Sequence, residues 1–312
     1  MKFAVLGTGG VGGYFGAKLA ASGNDVTFIA RGAHLDAIRS NGLKVISGGG
    51  DMLVKPARAT ADPTEIGPVD CVLLSVKLWD LDAAARACKS LVAGDGVAGG
   101  GFVVPLQNGV DALKRCAAEL GAGKVVGGIA YIAAVIAEPG VIRHSGAMAR
   151  MAFGEADGIS SPRVRALLKA LKAAGIDAEI PADILAAQWR KFVFLASISG
   201  LTSLARLPIG ALATDPELRA GLQLAIAEAV AVGRAAGIDL PGDAADATLA
   251  TIDQLPADMK TSMQQDLERG NRLELPWLSG AVSRMGRELK VPTPTHDLIA
   301  AALKPYADGA KR

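Results

Sequence analysis

A glycine-rich run wedged between an apolar strand and a helix at the start of the chain constrains the fold more than any other feature. Lys2 to Leu6 is short and apolar, as a strand buried on both faces would be. It breaks into Gly7-Thr8-Gly9-Gly10-Val11-Gly12, which has G-x-G-x-x-G spacing, and then into an amphipathic run from Val11 to Ala21. Gly23 stops that helix, and Asp25 to Ile29 reads as a second strand. In this context Gly7 allows the tight turn, Gly9 lets a diphosphate approach the backbone, and Gly12 lets helix and strand pack closely. The N–H groups and positive dipole end of the new helix face the diphosphate. A glycine-rich turn in some other α/β fold is the competing reading. The strand–turn–helix context favours dinucleotide binding.

The end of the second strand selects the dinucleotide. An NAD site would place Asp or Glu there to accept hydrogen bonds from the adenosine ribose. This chain has Ala30-Arg31-Gly32, and Asp25 stands at the start of the strand, the wrong end. An arginine at the carboxyl end can form paired hydrogen bonds to a 2′-phosphate. The reading is NADP(H), with a solvated arginine at a strand end as the alternative.

Further along, Leu43 to Ile46 and Met52 to Val54 look like a small hairpin hung on the sheet. Asp70 to Ser75 and Gly101 to Leu106 are further buried strands, leading into Lys77 and into Gln107-Asn108-Gly109-Val110. Val125 to Phe153 becomes shorter β-rich pieces around Pro139-Gly140, and Val164 to Ala174 restores a helix. This alternation is that of a doubly wound, mostly parallel Rossmann-type sheet, whose ligands bind at the carboxyl ends of the strands. Beyond about residue 180 the strand signal fades. Helices are expected over Ile184 to Leu204, Pro216 to Ala236, Ala244 to Gln254, around Met263, and over Trp277 to Leu289. The chain therefore reads as an α/β dinucleotide-binding domain, 1–180, followed by an all-helical domain, 181–312. At 312 residues it is long enough for both cores.

Other function classes find no support. A formal charge of +2 without a basic run argues against nucleic acid. No apolar stretch of transmembrane length lacks charges or glycines, so no membrane is expected. The N-terminus enters a strand at once, which argues against a signal peptide. Cys71, Cys88 and Cys116 are scattered and odd in number, fitting reduced thiols of a cytoplasmic protein. His34, His144 and His296 form no ligand pattern, so no metal is expected.

A dinucleotide domain followed by a helical one suggests hydride transfer in a cleft, which also needs a proton donor near the carbonyl oxygen. Lys191, in Gln188-Trp189-Arg190-Lys191-Phe192-Val193-Phe194, lies in an otherwise apolar helix. Half-buried and kept charged by a carboxylate, it would protonate a forming alkoxide. On composition alone, a lysine with its stem on the surface and its head in water is the favoured reading. Ser262 and Glu274 are equally open between substrate contacts and helix caps.

Taken together, these pieces resemble the ketopantoate reductase family (2-dehydropantoate 2-reductases) over essentially the whole length. The residues that carry the likeness are AVLGTGGVGG, Arg31 after the second strand, SVKLW, QNGV, WRKF, the SM-QD and G-N-R-L-E runs, and VPTPTH. The resemblance implies reduction of ketopantoate to pantoate with NADPH, on the way to pantothenate. It also implies a helical domain like the C-terminal domain of 6-phosphogluconate dehydrogenase. It makes Arg31 a ligand of the 2′-phosphate, with Lys77 near that end of the cofactor and Asn108 near the nicotinamide ribose and substrate. Lys191 falls on the general acid, Ser262 on a substrate-carboxylate contact, and Glu274 on the acid that works with the lysine. Helical second domains of this superfamily often build dimers, which makes a homodimer one expected state.

The chain departs from the family pattern in one region. Leu195, Ser199, Ile209 and Met259 stand where well-studied members carry polar groups, three of them asparagines. Each buried hydrogen bond lost there costs about 1–3 kcal/mol. Two enzymatic readings follow: a ketopantoate reductase with a repacked pocket, or a paralogue reducing a more apolar 2-oxo acid or related carbonyl or imine. A non-catalytic NADP sensor is a third, and the retained Lys191 and Glu274 argue against it.

Overall fold

The computed structural model describes residues 1–93 and 100–310. The chain divides into two compact units. One comprises Met1–Gln107 and Asp111–Ile184, the other Leu185–Arg312 together with Asn108–Val110.

In chain order the first unit contains β1 (Lys2–Leu6), α1 (Gly10–Ala21), β2 (Asp25–Ile29), α2 (Gly32–Asn41), β3 (Leu43–Ser47), β4 (Met52–Val54), β5 (Arg58–Thr60) and β6 (Cys71–Leu74). There follow α3 (Leu81–Ala87), β7 (Phe102–Pro105), α4 (Ala112–Leu120), β8 (Gly127–Glu138), β9 (Val141–Gly154), α5 (Pro162–Ala173) and β10 (Asp177–Glu179). One sheet is wholly parallel, in the order β5-β2-β1-β6-β7. Counting only its own strands, that order is 3-2-1-4-5, so the direction of winding reverses between β1 and β6. The crevice beyond their carboxyl ends is the switch point at which such sheets bind ligands. β1, β6 and β7 are buried on both faces, and Phe3, Val5, Phe28 and Phe102 are fully enclosed.

The second sheet departs from what the sequence suggests. The β3–β4 hairpin forms, but it joins β9 in parallel (Lys44 opposite Val141) and so belongs to a separate sheet, β10-β9-β3-β4. The stretch read as shorter pieces is one hairpin of 12- and 14-residue strands, β8 and β9. Its alternation is hidden in sequence because the register shifts at Ile132/Ala133 and again at Ile136/Glu138. Each shift breaks the period of two. α1 packs against strands of both sheets.

Among its described residues, the second unit is helical: α6 (Ile184–Ala205, whose first residue belongs to the first unit), α7 (Ile209–Thr214), α8 (Pro216–Ala235), α9 (Ala244–Asp253), α10 (Ser262–Glu268), α11 (Ser279–Leu289) and α12 (Pro294–Leu303). α7 and α12 have no counterpart in the sequence reading. Pro208, which punctuates the sequence as a helix breaker, caps the first, and Pro294 opens the second. Proline is also well suited to the first helical position, where no N–H is needed. α6 buries residues on all sides, including Phe192, Val193, Ala196, Ile198 and Thr202, and packs into the core of the unit.

α12 is pinned by a carboxylate from another helix. Glu228 of α8 is buried and accepts hydrogen bonds from the backbone N–H of Thr295 (2.8 Å) and His296 (3.0 Å), while the His296 ring reaches the Ala225 carbonyl through Nε2 at 2.9 Å. Burial holds the His296 imidazole below its ordinary pKa, so it stays neutral. Hydrogen bonds to a charged acceptor contribute about 1.5–3 kcal/mol each. Glu228→Ala is expected to destabilise the helical unit by about 3 kcal/mol, read as a lower midpoint in thermal or urea unfolding. A midpoint equal to that of the wild type would remove this carboxylate as the anchor of α12.

Candidate active site

The glycine run occupies the turn between β1 and α1, at the switch point. Gly7 has φ +97°, and a Cβ there would lie 2.7 Å from the Val76 nitrogen. A Cβ on Gly12 would lie 2.2 Å from Ser75 Oγ and 2.5 Å from the Gly7 carbonyl, so a side chain would push α1 off the sheet. Gly10 faces β8, where a Cβ would fall 2.0 Å from the Ala134 carbonyl. Gly9 differs: nothing lies within 4 Å of the place where its Cβ would be. Three of these glycines are required by the protein's own packing, and the fourth leaves open space beside the backbone. No acidic residue occupies the first turn of α1. The site therefore fits a diphosphate.

Thr8 is buried, and both its N–H (3.2 Å) and its hydroxyl (3.0 Å) donate to the Ile29 carbonyl. Val11 lies in the first turn of α1. Arg31 follows β2, is exposed, and stands at the N-cap of α2. Asp25, at the opposite end of β2, is paired with Arg58 of β5. Lys77 lies three residues past β6, exposed, its ammonium 5.7 Å from the centre of the Trp79 ring.

In the helical unit the structure brings three of the sequence candidates together. Lys191 Nζ, on the second turn of α6, donates to Asn108 Oδ1 at 3.0 Å. Asn108 Nδ2 donates to Glu274 Oε2 at 3.3 Å. The amide thus turns its oxygen to the cation and its nitrogen to the anion, the one orientation that satisfies both neighbours. Glu274 is buried at the head of a short turn before α11. Burial pulls the Lys191 pKa down to about 8, and the negative charge of Glu274 works against that fall. A lysine in this state is mostly protonated at neutral pH and gives up its proton more readily than an exposed one.

Ser262 is the first residue of α10, exposed, and follows the Thr261 cap. The departing residues also have definite places. Leu195 and Ser199 follow Lys191 at successive turns of α6, the first half-buried and the second buried. The Ile209 N–H donates to the Met259 carbonyl at 3.0 Å; Ile209 is buried and Met259 is 37% exposed. Thr202, the next residue of the α6 stripe, meets Thr261 hydroxyl to hydroxyl at 3.0 Å.

Three residues that shape these features are absent from the sequence reading as site residues. Ser75 Oγ donates to the Gly7 carbonyl at 3.0 Å. Gln107 Nε2 donates to the carbonyls of Leu74 and Val76, both at 3.0 Å, tying the end of β7 to that of β6. His34 touches the glycine loop, as described below. Ser75 and Gln107 sit at the carboxyl ends of sheet strands, the one signal by which they could have been found.

Comparison with known proteins bears on the whole chain. The profile described as "Ketopantoate reductase PanE/ApbA" matches residues 3–158, and "Ketopantoate reductase PanE/ApbA C terminal" matches residues 183–307. The 2-dehydropantoate 2-reductase of Mesorhizobium japonicum is 33% identical, over 98% of either chain. Among solved structures, the 2-dehydropantoate 2-reductase from Geobacter metallireducens is 29% identical with a TM-score of 0.89, covering 98% of this chain and 99% of that one. A D-mandelate dehydrogenase solved with NADH and anilino(oxo)acetate shares the fold (TM-score 0.86, 98% of either chain) at 21% identity. No helix among the described residues is long and apolar enough to cross a membrane. On the match of both profiles and of the Mesorhizobium relative, this chain belongs to the ketopantoate reductase family and is an oxidoreductase acting on CH–OH groups.

Proposed function

We propose that the chain reduces a 2-oxo acid with NADPH, and that the acid is 2-dehydropantoate, giving pantoate for pantothenate synthesis. The observation that carries this reading is the Lys191–Asn108–Glu274 group, a buried ammonium held between an amide and a carboxylate. In this reading residues 1–180 bind the nucleotide and residues 181–312 handle the substrate, in the cytoplasm and as a homodimer.

NADPH, when bound, supplies the hydride. Gly7 to Gly12 hold its diphosphate against the open side of Gly9, Arg31 pairs with the 2′-phosphate, and Lys77 adds positive charge nearby. Lys191 stabilises the carbonyl oxygen as it gains charge and then protonates it. The lowered pKa shortens that transfer, because the driving force is larger than for an ordinary lysine. Asn108 fixes Nζ through one hydrogen bond, and Glu274 keeps the ammonium charged until it is needed. Ser262 takes the substrate carboxylate.

Leu195, one turn from Lys191, supports a second reading in which the substrate chain is apolar. Steady-state assays with NADPH against ketopantoate and a panel of straight-chain, branched and aryl 2-oxo acids separate the two. The highest kcat/KM with ketopantoate is the expected result. A tenfold preference for an apolar acid would transfer the chain to the second reading. NADPH binding without turnover of any member would make it a sensor.

A further inference from the structure

Outside the candidate site, one side chain closes a loop of hydrogen bonds around the glycine turn. His34, half-buried on the first turn of α2, places Nε2 2.7 Å from the Thr8 carbonyl oxygen. Its other ring nitrogen, Nδ1, accepts from the Gly140 N–H at 3.0 Å. Both partners are main-chain groups of fixed role: a carbonyl only accepts, and a backbone N–H only donates. They leave the ring one arrangement, neutral, with its hydrogen on Nε2 pointing at Thr8. Burial, which holds the His34 pKa below the ordinary histidine value, favours the same neutral form.

The far anchor is firm. Gly140 ends the tight turn between β8 and β9 at φ +78°, and its carbonyl accepts from Lys44 N of β3 at 2.9 Å. A Cβ on Gly140 would lie 3.0 Å from that of Ala37 on α2. The near anchor is the peptide that matters. Thr8 N–H and hydroxyl are already tied to the Ile29 carbonyl, and Gly9 N–H donates to Gly7 O at 2.7 Å. The Thr8–Gly9 peptide is planar, so gripping its C=O fixes its plane and with it the open side of Gly9. Among the described residues no backbone donor supplies that grip; the imidazole does.

We propose that His34 is the positioning residue of the nucleotide loop, holding the Thr8–Gly9 peptide from the β8–β9 turn so that the diphosphate meets a preformed backbone. The helix that presents Arg31 at its cap also carries this ring, so one element sets the loop and the 2′-phosphate contact together. This rests on the NADPH reading above.

The test uses the full chain and three variants. In His34→Ala the loop is released: KM and Kd for NADPH rise about tenfold or more, while kcat at saturating NADPH falls less than twofold. His34→Gln places an amide N–H where Nε2 stood and recovers most of the affinity. His34→Asn reaches only the Nδ1 position, can still accept from Gly140, and remains as weak as the alanine variant. Hydrogen–deuterium exchange of the Gly7–Gly12 amides follows the same order, fast in Ala and Asn and slow in Gln and wild type. Unchanged NADPH affinity in His34→Ala overturns the proposal. So do Gln and Asn variants that are equally weakened in step with a loss of thermal stability, which marks a merely structural ring. The exchange measurement needs no nucleotide. A wild type that fails to bind NADPH would therefore sink the functional reading, while the loop amides still decide the role of His34.

Discussion

Lys191→Ala lowers kcat for carbonyl reduction by a factor of about 10² to 10⁴, the usual contribution of a positioned proton donor, and leaves NADPH binding intact. The expectation follows from the burial of Nζ, its 3.0 Å bond to Asn108 and the charge of Glu274. It has a pH signature as well. A general acid works in its protonated form, and burial brings the pKa of this one down to about 8. The wild-type kcat should therefore be level below that pH and fall as pH rises through it, approaching tenfold per pH unit. The residual rate of the alanine variant should lose this limb. Wild-type turnover in the variant, or an alkaline limb retained without the lysine, removes Lys191 as the donor.

Arg31→Ala raises the KM for NADPH about a hundredfold and changes the use of NADH little. A guanidinium gripping a phosphate makes two charge-assisted hydrogen bonds of about 1.5–3 kcal/mol each, and only the 2′-phosphorylated cofactor can receive them. The structure leaves this arginine exposed at the α2 cap, while Asp25 is occupied by Arg58 at the other end of β2. Comparison of kcat/KM for the two nucleotides, before and after substitution, decides the matter. Equal use of NADH and NADPH by the unmutated enzyme would overturn the NADP assignment.

Local signals carried much of the first unit. β2 spans Asp25–Ile29 as the sequence suggests, a short run set between the Gly23 turn that ends α1 and the start of α2 at Gly32. The β8–β9 hairpin was obscured by its two register shifts, and β5 and β10, of three residues each, are held by pairing with strands distant in the chain. Lys191 illustrates the limit at the candidate site. An isolated lysine in an apolar helix reads as a surface residue, and only the resemblance to a family tied it to Glu274. What neither composition nor periodicity can express is that the amide of Asn108 stands between them. By sequence alone His34 is a surface or core histidine outside any ligand pattern. Its bonds go to main-chain atoms 26 and 106 residues away, and main-chain partners leave no trace in residue identity.

The three residues Asn108–Val110 belong to the helical unit although they lie deep in the sequence of the other. The boundary at Ile184 is therefore not a clean seam for recombination. A chimera joined there would take its lysine and carboxylate from one parent and the amide that bridges them from the other. Exchange of helical halves between relatives is expected to succeed only where this tripeptide travels along, so the turn after β7 should be inherited with a segment from which it is separated by more than seventy residues.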